Sequence, residues 1–287
     1  MNDKIAIMTD TVANLPYDFI KKNNIYVISL YVVIDEKYYK DGIEINSSDM
    51  FRLNEEKSDF MAKSSSPSPN DFSIVYEQIK NDGFDKIIFI GMGSNLSSTM
   101  TNAKIAEDYG LEIAFIDSKT VTILEGLLVM YATDLLKKSL SFEEIVKKVN
   151  LAVGKSIAYG WIDDLSYLKA GGRLGKAAKK ASTLLNLKPF MSIDGMGEFE
   201  LYKLKIAKEK SYKKVEKKIR EDLKDINNYY MAYLYGNDYH ILDEVKTDLA
   251  DLEDKALGVF EAATGSVVAV HVGPKIYAVA YLIIDWK

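Results

Sequence analysis

Cysteine is absent from this 287-residue sequence. That absence excludes disulfide frameworks, thiolate-held iron–sulfur clusters and thiol nucleophiles. Glycine (17) and proline (5) are together scarcer than the roughly 12% of an average chain, so long disordered linkers are not expected. No segment approaches the ~18 uninterrupted apolar residues of a membrane span, and MNDKIAIMTD holds no secretory apolar run. With the missing cysteine, this makes a cytoplasmic protein the expectation. Thirty-seven basic and 42 acidic residues give a net charge of −5, well mixed along the chain. Nucleic-acid or anionic-membrane binding as a main role is thereby disfavoured.

Arginine and histidine are also scarce. Arg52, Arg173 and Arg220 stand against 34 lysines, and the histidines are His240 and His271. Where lysine supplies nearly all positive charge, an arginine in an unusual setting points to a task that needs its planar fork. The length is about twice a ~150-residue domain, and a chain of this mass buries about three quarters of its extended surface.

The first half alternates apolar runs with helical patterns: strands over 4–8, 25–33, 86–92 and 111–116, and helices over 16–23, 70–81, 98–110 and 118–138. Residues 35–39 read as the turn and return of a small hairpin, and Ser48 as the cap of a short helix. This rhythm predicts a mostly parallel sheet covered by helices. The second half predicts hairpins and meanders: strands over 157–162, 188–193, 198–206, 231–235, 257–260, 267–272 and 276–284. Helices are expected over 142–153, 165–169, 177–185, 208–226 and 239–252. The fold class is therefore α/β. An N-terminal mostly parallel α/β sandwich domain (1–155, with a hairpin excursion at about 31–60) precedes a C-terminal α+β domain (156–287) with a mixed or antiparallel sheet. A ligand is expected between or beside them.

Several polar clusters fall at strand ends or helix starts. Thr9-Asp10-Thr11 ends the first strand, where open α/β sheets place ligands, although Asp10 or Thr11 also suits a plain turn cap. Ser94-Asn95-Leu96-Ser97-Ser98-Thr99 opens a helix with four hydroxyls and no P-loop spacing, which fits a carboxylate or small oxyanion, or ordinary capping. Ser64-Ser65-Ser66-Pro67-Ser68-Pro69 is a second hydroxyl loop; a linker or phosphosite is the alternative. Lys169-Ala170-Gly171-Gly172-Arg173 sets an arginine in a glycine loop, either to orient an anion or to form a local salt bridge. His271 lies in the apolar run 267–272, as a core residue or a site residue. HExxH, CxxC and GxSxG patterns are absent.

Taken in order, Thr9-Asp10-Thr11, the Ser64 loop, Leu96-Ser97-Ser98-Thr99, Ile116-Asp117-Ser118, Gly171-Gly172-Arg173-Leu174-Gly175, Leu187-Lys188-Pro189 and His271-Val272-Gly273-Pro274 resemble the DegV family of bacterial fatty-acid-binding proteins. The resemblance implies a two-domain carrier, not itself an enzyme, that buries one long-chain fatty acid. It further implies presentation of the carboxylate to a separate kinase subunit that makes the acyl phosphate, as part of phospholipid metabolism. By the same resemblance Ser64, Ser97, His271 and Ser94 bind the carboxylate. Thr9, Asp10, Ser65, Ser98, Gly172, Arg173 and Lys205 support it or contact the kinase. No cofactor or metal beyond the bound lipid is implied, and membrane contact would be transient. Ser64 replaces a usual Thr, Ser66 a Gln, Gly93 a Ser, Ser98 a Gly, Lys205 an Arg and Lys275 a Gly.

Two other classes compete. A metal-dependent phosphotransferase or hydrolase would use Asp10 as ligand or nucleophile and His271 as acid/base. A regulatory or scaffold protein would leave the serine clusters without a task.

Overall fold

The structure is a computed structural model that describes residues 4–56, 62–173, 190–193, 199–201 and 212–284. The chain runs β1 (Ile5–Asp10), α1 (Tyr17–Lys22), β2 (Tyr26–Ile28), β3 (Tyr31–Ile34), β4 (Lys37–Lys40), α2 (Ser47–Glu56), β5 (Lys63–Ser65), α3 (Pro69–Asn81) and β6 (Lys86–Gly91). It continues through α4 (Thr99–Ile105), β7 (Glu112–Asp117), α5 (Ile123–Leu136), α6 (Phe142–Ala152), β8 (Ser156–Ile162) and α7 (Ser166–Ala170). The remaining described elements are β9 (Phe190–Ile193), β10 (Phe199–Leu201), α8 (Tyr212–Asp222), β11 (Tyr229–Tyr235), α9 (His240–Glu253), β12 (Gly258–Ala263), α10 (Ser266–Val272) and β13 (Ile276–Ile283).

Three sheets result. The first is parallel, ordered β2-β1-β6-β7; the second is mixed, ordered β10-β9-β8-β13-β11-β12; the third is the small antiparallel sheet β4-β3-β5. The parallel strands IAIMTD and KIIFIG are buried nearly throughout, as strands covered on both faces must be. One face of the parallel sheet packs on α3 and α4 through Phe72, Tyr76, Phe89 and Met100. One face of the mixed sheet packs on α8 and α9 through Val215, Ile219, Leu242 and Leu249. Between the two sheets lies α5, buried along nearly its whole length, with Leu124, Leu127, Leu128 and Val129 at most 1% exposed. Each such side chain contributes about 1.5–3 kcal/mol by leaving water, so α5 bonds the sheets into one core. Gly126 permits this approach: a Cβ there would lie 2.6 Å from the Ala13 carbonyl oxygen.

Several expected elements differ. The run 25–33 is two strands in two different sheets, because the chain leaves β1's edge at Ser29-Leu30 and starts the small sheet. The helix expected to reach 110 stops at Ile105, and the one expected from 118 begins at Ile123. The largest correction is 267–272, which is the helix α10 and not a strand. Its N-terminus is held by Asp41, whose Oδ1 accepts from the Ser266 amide at 2.9 Å, a contact 225 residues away that overrides the β preference of a valine run. The helix expected over 177–185 lies outside the described residues, as do Leu187 to Pro189 and Lys205.

Buried acids crowd the seam between the sheets. Asp10 is 1% exposed, and burial together with nearby Asp41 raises it to about 7, against the amides of Met92 and Val12 that favour its charge. Glu125 is fully buried on α5, accepts from the Thr9 hydroxyl at 3.1 Å, and is pushed well above the carboxylate range by burial, Asp10 and Asp117. A carboxyl raised on folding binds more protons in the native state, so it subtracts stability as pH climbs above its unfolded value. Glu125→Gln removes that loss. Its stability relative to the parent, from urea denaturation, is expected to rise between pH 5 and pH 8 by up to about 1.4 kcal/mol per unit while the parent group stays protonated. A pH-independent difference would contradict the protonated state.

Candidate functional site

The carboxyl ends of β1 and β6 face the mixed sheet across a cavity of about 340 Å³, within the usual range for ligand pockets. Its walls come from both sides of the seam. Val12, Met92, Leu96, Val121 and Leu124 line it from the parallel-sheet side. Ala158, Gly160, Ile162, Leu234, Ile276 and Ala278 line it from the mixed sheet, and Val267, Val268 and Val272 of α10 close another side. The narrow side chains of Ala158, Gly160 and Ala278 keep this wall low; a Cβ on Gly160 would stand 3.3 Å from the Cβ of Ala278.

Apart from Thr122 and Ser192, the polar lining groups come from three segments and one helix: Ser64, Ser65, Ser66, Ser97, Ser98, Arg173 and His271. Ser64, on β5, is paired across the small sheet with Val32, which fixes the direction of its side chain. Its Oγ stands 2.7 Å from Nε2 of His271. Ser66 and Ser98 hydroxyls meet at 2.8 Å, and Asn102 of α4 ties the loop down by donating to Ser66 Oγ at 3.2 Å and to the Pro67 carbonyl at 2.8 Å. Ser97 lies 2.8 Å from the Thr99 hydroxyl and accepts from the Thr99 amide at 3.2 Å. Arg173 donates to the Gly171 carbonyl at 2.6 Å and, more loosely at 3.4 Å, to that of Leu96. It therefore joins the two loops without an acidic partner among the described contacts.

Electrostatics keeps the His271 ring neutral beside the charged Arg173. Burial first, and the Arg173 charge second, lower His271 to about 4, so the ring is uncharged at neutral pH. A neutral ring carries one proton. Its Nδ1 has no hydrogen-bond partner among the described residues, so the proton is best used at Nε2, donating to Ser64 Oγ. The Ser64 O–H is then free for an incoming acceptor. Two or three such hydroxyls can satisfy one carboxylate without a buried cation.

Other expected site residues are placed differently. Ser94 turns away: its hydroxyl donates to Asp117 Oδ2 at 2.6 Å and its amide to Oδ1 at 3.2 Å, so the carboxylate that ends β7 has captured it. Thr9 is directed to Glu125, and Asp10 accepts from the amides of Val12 at 2.9 Å and Met92 at 3.0 Å. Neither lines the cavity; Asp10 caps the turn after β1, with each of its oxygens engaged by one backbone amide. Gly172 is exposed, and its φ of +70° is the turn that brings Arg173 back over the site. Asn102 and Asp41 were not legible as site residues, since an Asn mid-helix and an acid in a turn carry no distinguishing pattern, and Gly171 was visible only as part of its glycine loop.

Gly171 is there for space. A Cβ on it would fall 2.1 Å from His271 Nδ1 and 2.8 Å from Cε1. Gly171→Ala is expected to push the imidazole off Ser64 and to weaken by about tenfold any carboxylic acid that this cluster binds, the worth of one hydrogen bond to a charged group. Isothermal titration of the ligand-free protein with a carboxylic acid measures it; parental affinity would show that the ring does not contribute.

The comparisons with known proteins agree with this architecture. A family model described as "Uncharacterised protein, DegV family" matches residues 4–283. A DegV domain-containing protein of Clostridium acetobutylicum is 33% identical over 285 residues, 98% of this chain and 99% of that one. The structure is similar to a fatty-acid-binding DegV family protein from Thermus thermophilus (TM-score 0.90, 24% identity, covering 98% of this chain and 99% of that chain). It is likewise similar to a stearic-acid-binding protein from Eubacterium ventriosum (TM-score 0.87, 25% identity, covering 99% of each). Matched over nearly its whole length in sequence and in fold, the chain belongs to the DegV family.

Proposed function

We propose that this protein binds one long-chain fatty acid, tail in the cavity between the sheets and carboxylate at the serine cluster. The observation that carries the reading is a cavity with largely apolar walls that is also lined by the hydroxyls of Ser64 and Ser97 and by the His271 ring. Fatty-acid-binding relatives of the same fold support it. Burying about 14 methylenes at ~0.8 kcal/mol each supplies near 11 kcal/mol. An association cost of at least ~4 kcal/mol leaves room for tight binding. The tail supplies affinity, and the hydroxyls prevent the desolvation loss of the head group and set its orientation.

The finer reading is that the bound acid is presented to a separate kinase. Ser98 is exposed and Ser64, Ser66, Ser97 and Arg173 are half-buried, so the head group would sit at a mouth that a second protein can reach. The placement of Asp10, with both oxygens on backbone amides, gives no support to a phosphotransferase built on Asp10 and His271. Among the described residues no helix is long and apolar enough to cross a membrane.

Protein purified from a bacterial host is expected to release about one fatty acid per chain on solvent extraction, read by mass spectrometry; well-folded protein without acyl chains would contradict the reading. Ser64→Ala combined with Ser97→Ala is expected to weaken palmitate binding tenfold or more, on the scale of about 1.5–3 kcal/mol per charged hydrogen bond. Unchanged affinity would refute the head-group site. Presentation is read by adding a fatty acid kinase catalytic subunit, ATP and hydroxylamine, which traps an acyl phosphate as hydroxamate; bound lipid that yields none would leave only the carrier.

A further inference from the structure

His271 sits near the end of α10, a helix of seven residues. A helix this short does not persist by itself, so its position is set by what holds it. It packs against α2, α7, β3 and β5. Its start is pinned from two directions. The Asn14 side-chain amide, oriented to satisfy both of its groups, donates to the Val12 carbonyl at 3.1 Å and accepts from the Gly265 amide at 2.8 Å. Asp41 accepts from the Ser266 amide at 2.9 Å and also from the Ser266 hydroxyl.

Asp41 is the first residue after β4. It is 2% exposed and is not among the lining residues of the cavity. Its own anchoring is backbone: the Asp41 amide donates to the Leu30 carbonyl at 2.9 Å, just before β3. β3 pairs on one side with β4 and on the other with β5, where Val32 stands opposite Ser64. Ser64 then reaches His271. The contacts close a circuit: from Asp41 through β4, β3 and β5 to Ser64, across to His271, and back along α10 to Ser266 and Asp41. One small sheet thus grips one short helix at both ends.

We propose that Asp41 is a positioning residue for the carboxylate site: by capping α10 from the sheet that also carries Ser64, it sets the register between the Ser64 hydroxyl and the His271 ring. This rests on the cavity being the fatty-acid site. Asp41 touches no ligand in this account; it acts through His271. The charged group acting on the ring itself is Arg173.

The test exploits the two histidines. In the uniformly ¹⁵N-labelled full chain, side-chain imidazole spectra hold two sets of signals, and His240→Gln, at an exposed position, assigns the pair. The parent is expected to show His271 neutral with its proton on Nε2 from pH 5 to pH 8. Asp41→Ala is expected to give a folded protein whose His271 exchanges between tautomers and titrates toward 6.5 in place of about 4, with palmitate affinity down about tenfold. Asp41→Asn keeps an acceptor oxygen for Ser266 and is expected to restore the spectrum and most of the affinity. A folded Asp41→Ala protein with parental His271 signals overturns the proposal. If Asp41→Ala does not fold, Ser266→Ala decides: a shifted His271 spectrum supports the circuit and a parental one overturns it. The two readings fail separately. Loss of the His271 signature in a protein that never binds palmitate removes the fatty-acid assignment and keeps the positioning role; palmitate binding with an unmoved His271 does the reverse.

Discussion

A carboxylate cannot be drawn to the edge of an apolar cavity unless its lost water is replaced, and that desolvation cost is the constraint around which this site is built. A buried lysine or an uncompensated arginine would satisfy the charge but would itself need solvation when the cavity is empty. The structure uses groups that cost little in either state. Ser64, Ser66, Ser97 and Ser98 are neutral and bond to one another or to neighbours, and His271 is kept neutral by burial and by Arg173. The same hydroxyls can turn to an anion without a protonation change. Arg173 stays half-buried, tied to backbone carbonyls, where its charge favours anions at the polar end of the cavity.

The arrangement of layers provides the space. Because α5 is buried along nearly its whole length, two sheets can share it and still leave, at its N-terminal end, a gap bounded by strand ends on one side and by Ala158, Gly160 and Ala278 on the other. The seam has a cost in buried acids. Asp10, Asp41 and Glu125 all lie at or below 2% exposure, two of them with one oxygen lacking a partner among the described residues, Oδ2 of Asp41 and Oε2 of Glu125. Asp10 and Asp41 offset that cost by capping segments that border the cavity, the turn after β1 and the start of α10.

Much of the fold was legible because parallel strands buried on both faces leave continuous apolar runs, as in KIIFIG, and helices leave polar–apolar periods, as over 70–81 and 142–153, whose starts the structure shows capped by Ser68 and Ser141. The run VVAVHV was not legible. Five apolar residues around one histidine fit a strand and a helix equally well, and the deciding contact comes from Asp41, 225 residues from Ser266. The serine loops of the site were visible as hydroxyl density at strand ends and helix starts. Which hydroxyl faces the cavity was not, since Ser94 and Ser97 differ only in whether an acid such as Asp117 is within reach. Buried acids were the least visible of all: nothing in the sequence distinguishes Glu125 and Asp41 from the other acids until three-dimensional packing encloses them.

The central claim is that a lipid acid lies between the sheets with its head against neutral hydroxyls. A crystal structure of the palmitate-loaded protein tests it most directly. The account requires a carboxylate oxygen at about 2.6–3.2 Å from Ser64 Oγ, with the tail running past Ala158 and Ala278. A cavity occupied by rearranged protein side chains, or a palmitate whose head lies away from Ser64 and His271, would contradict it.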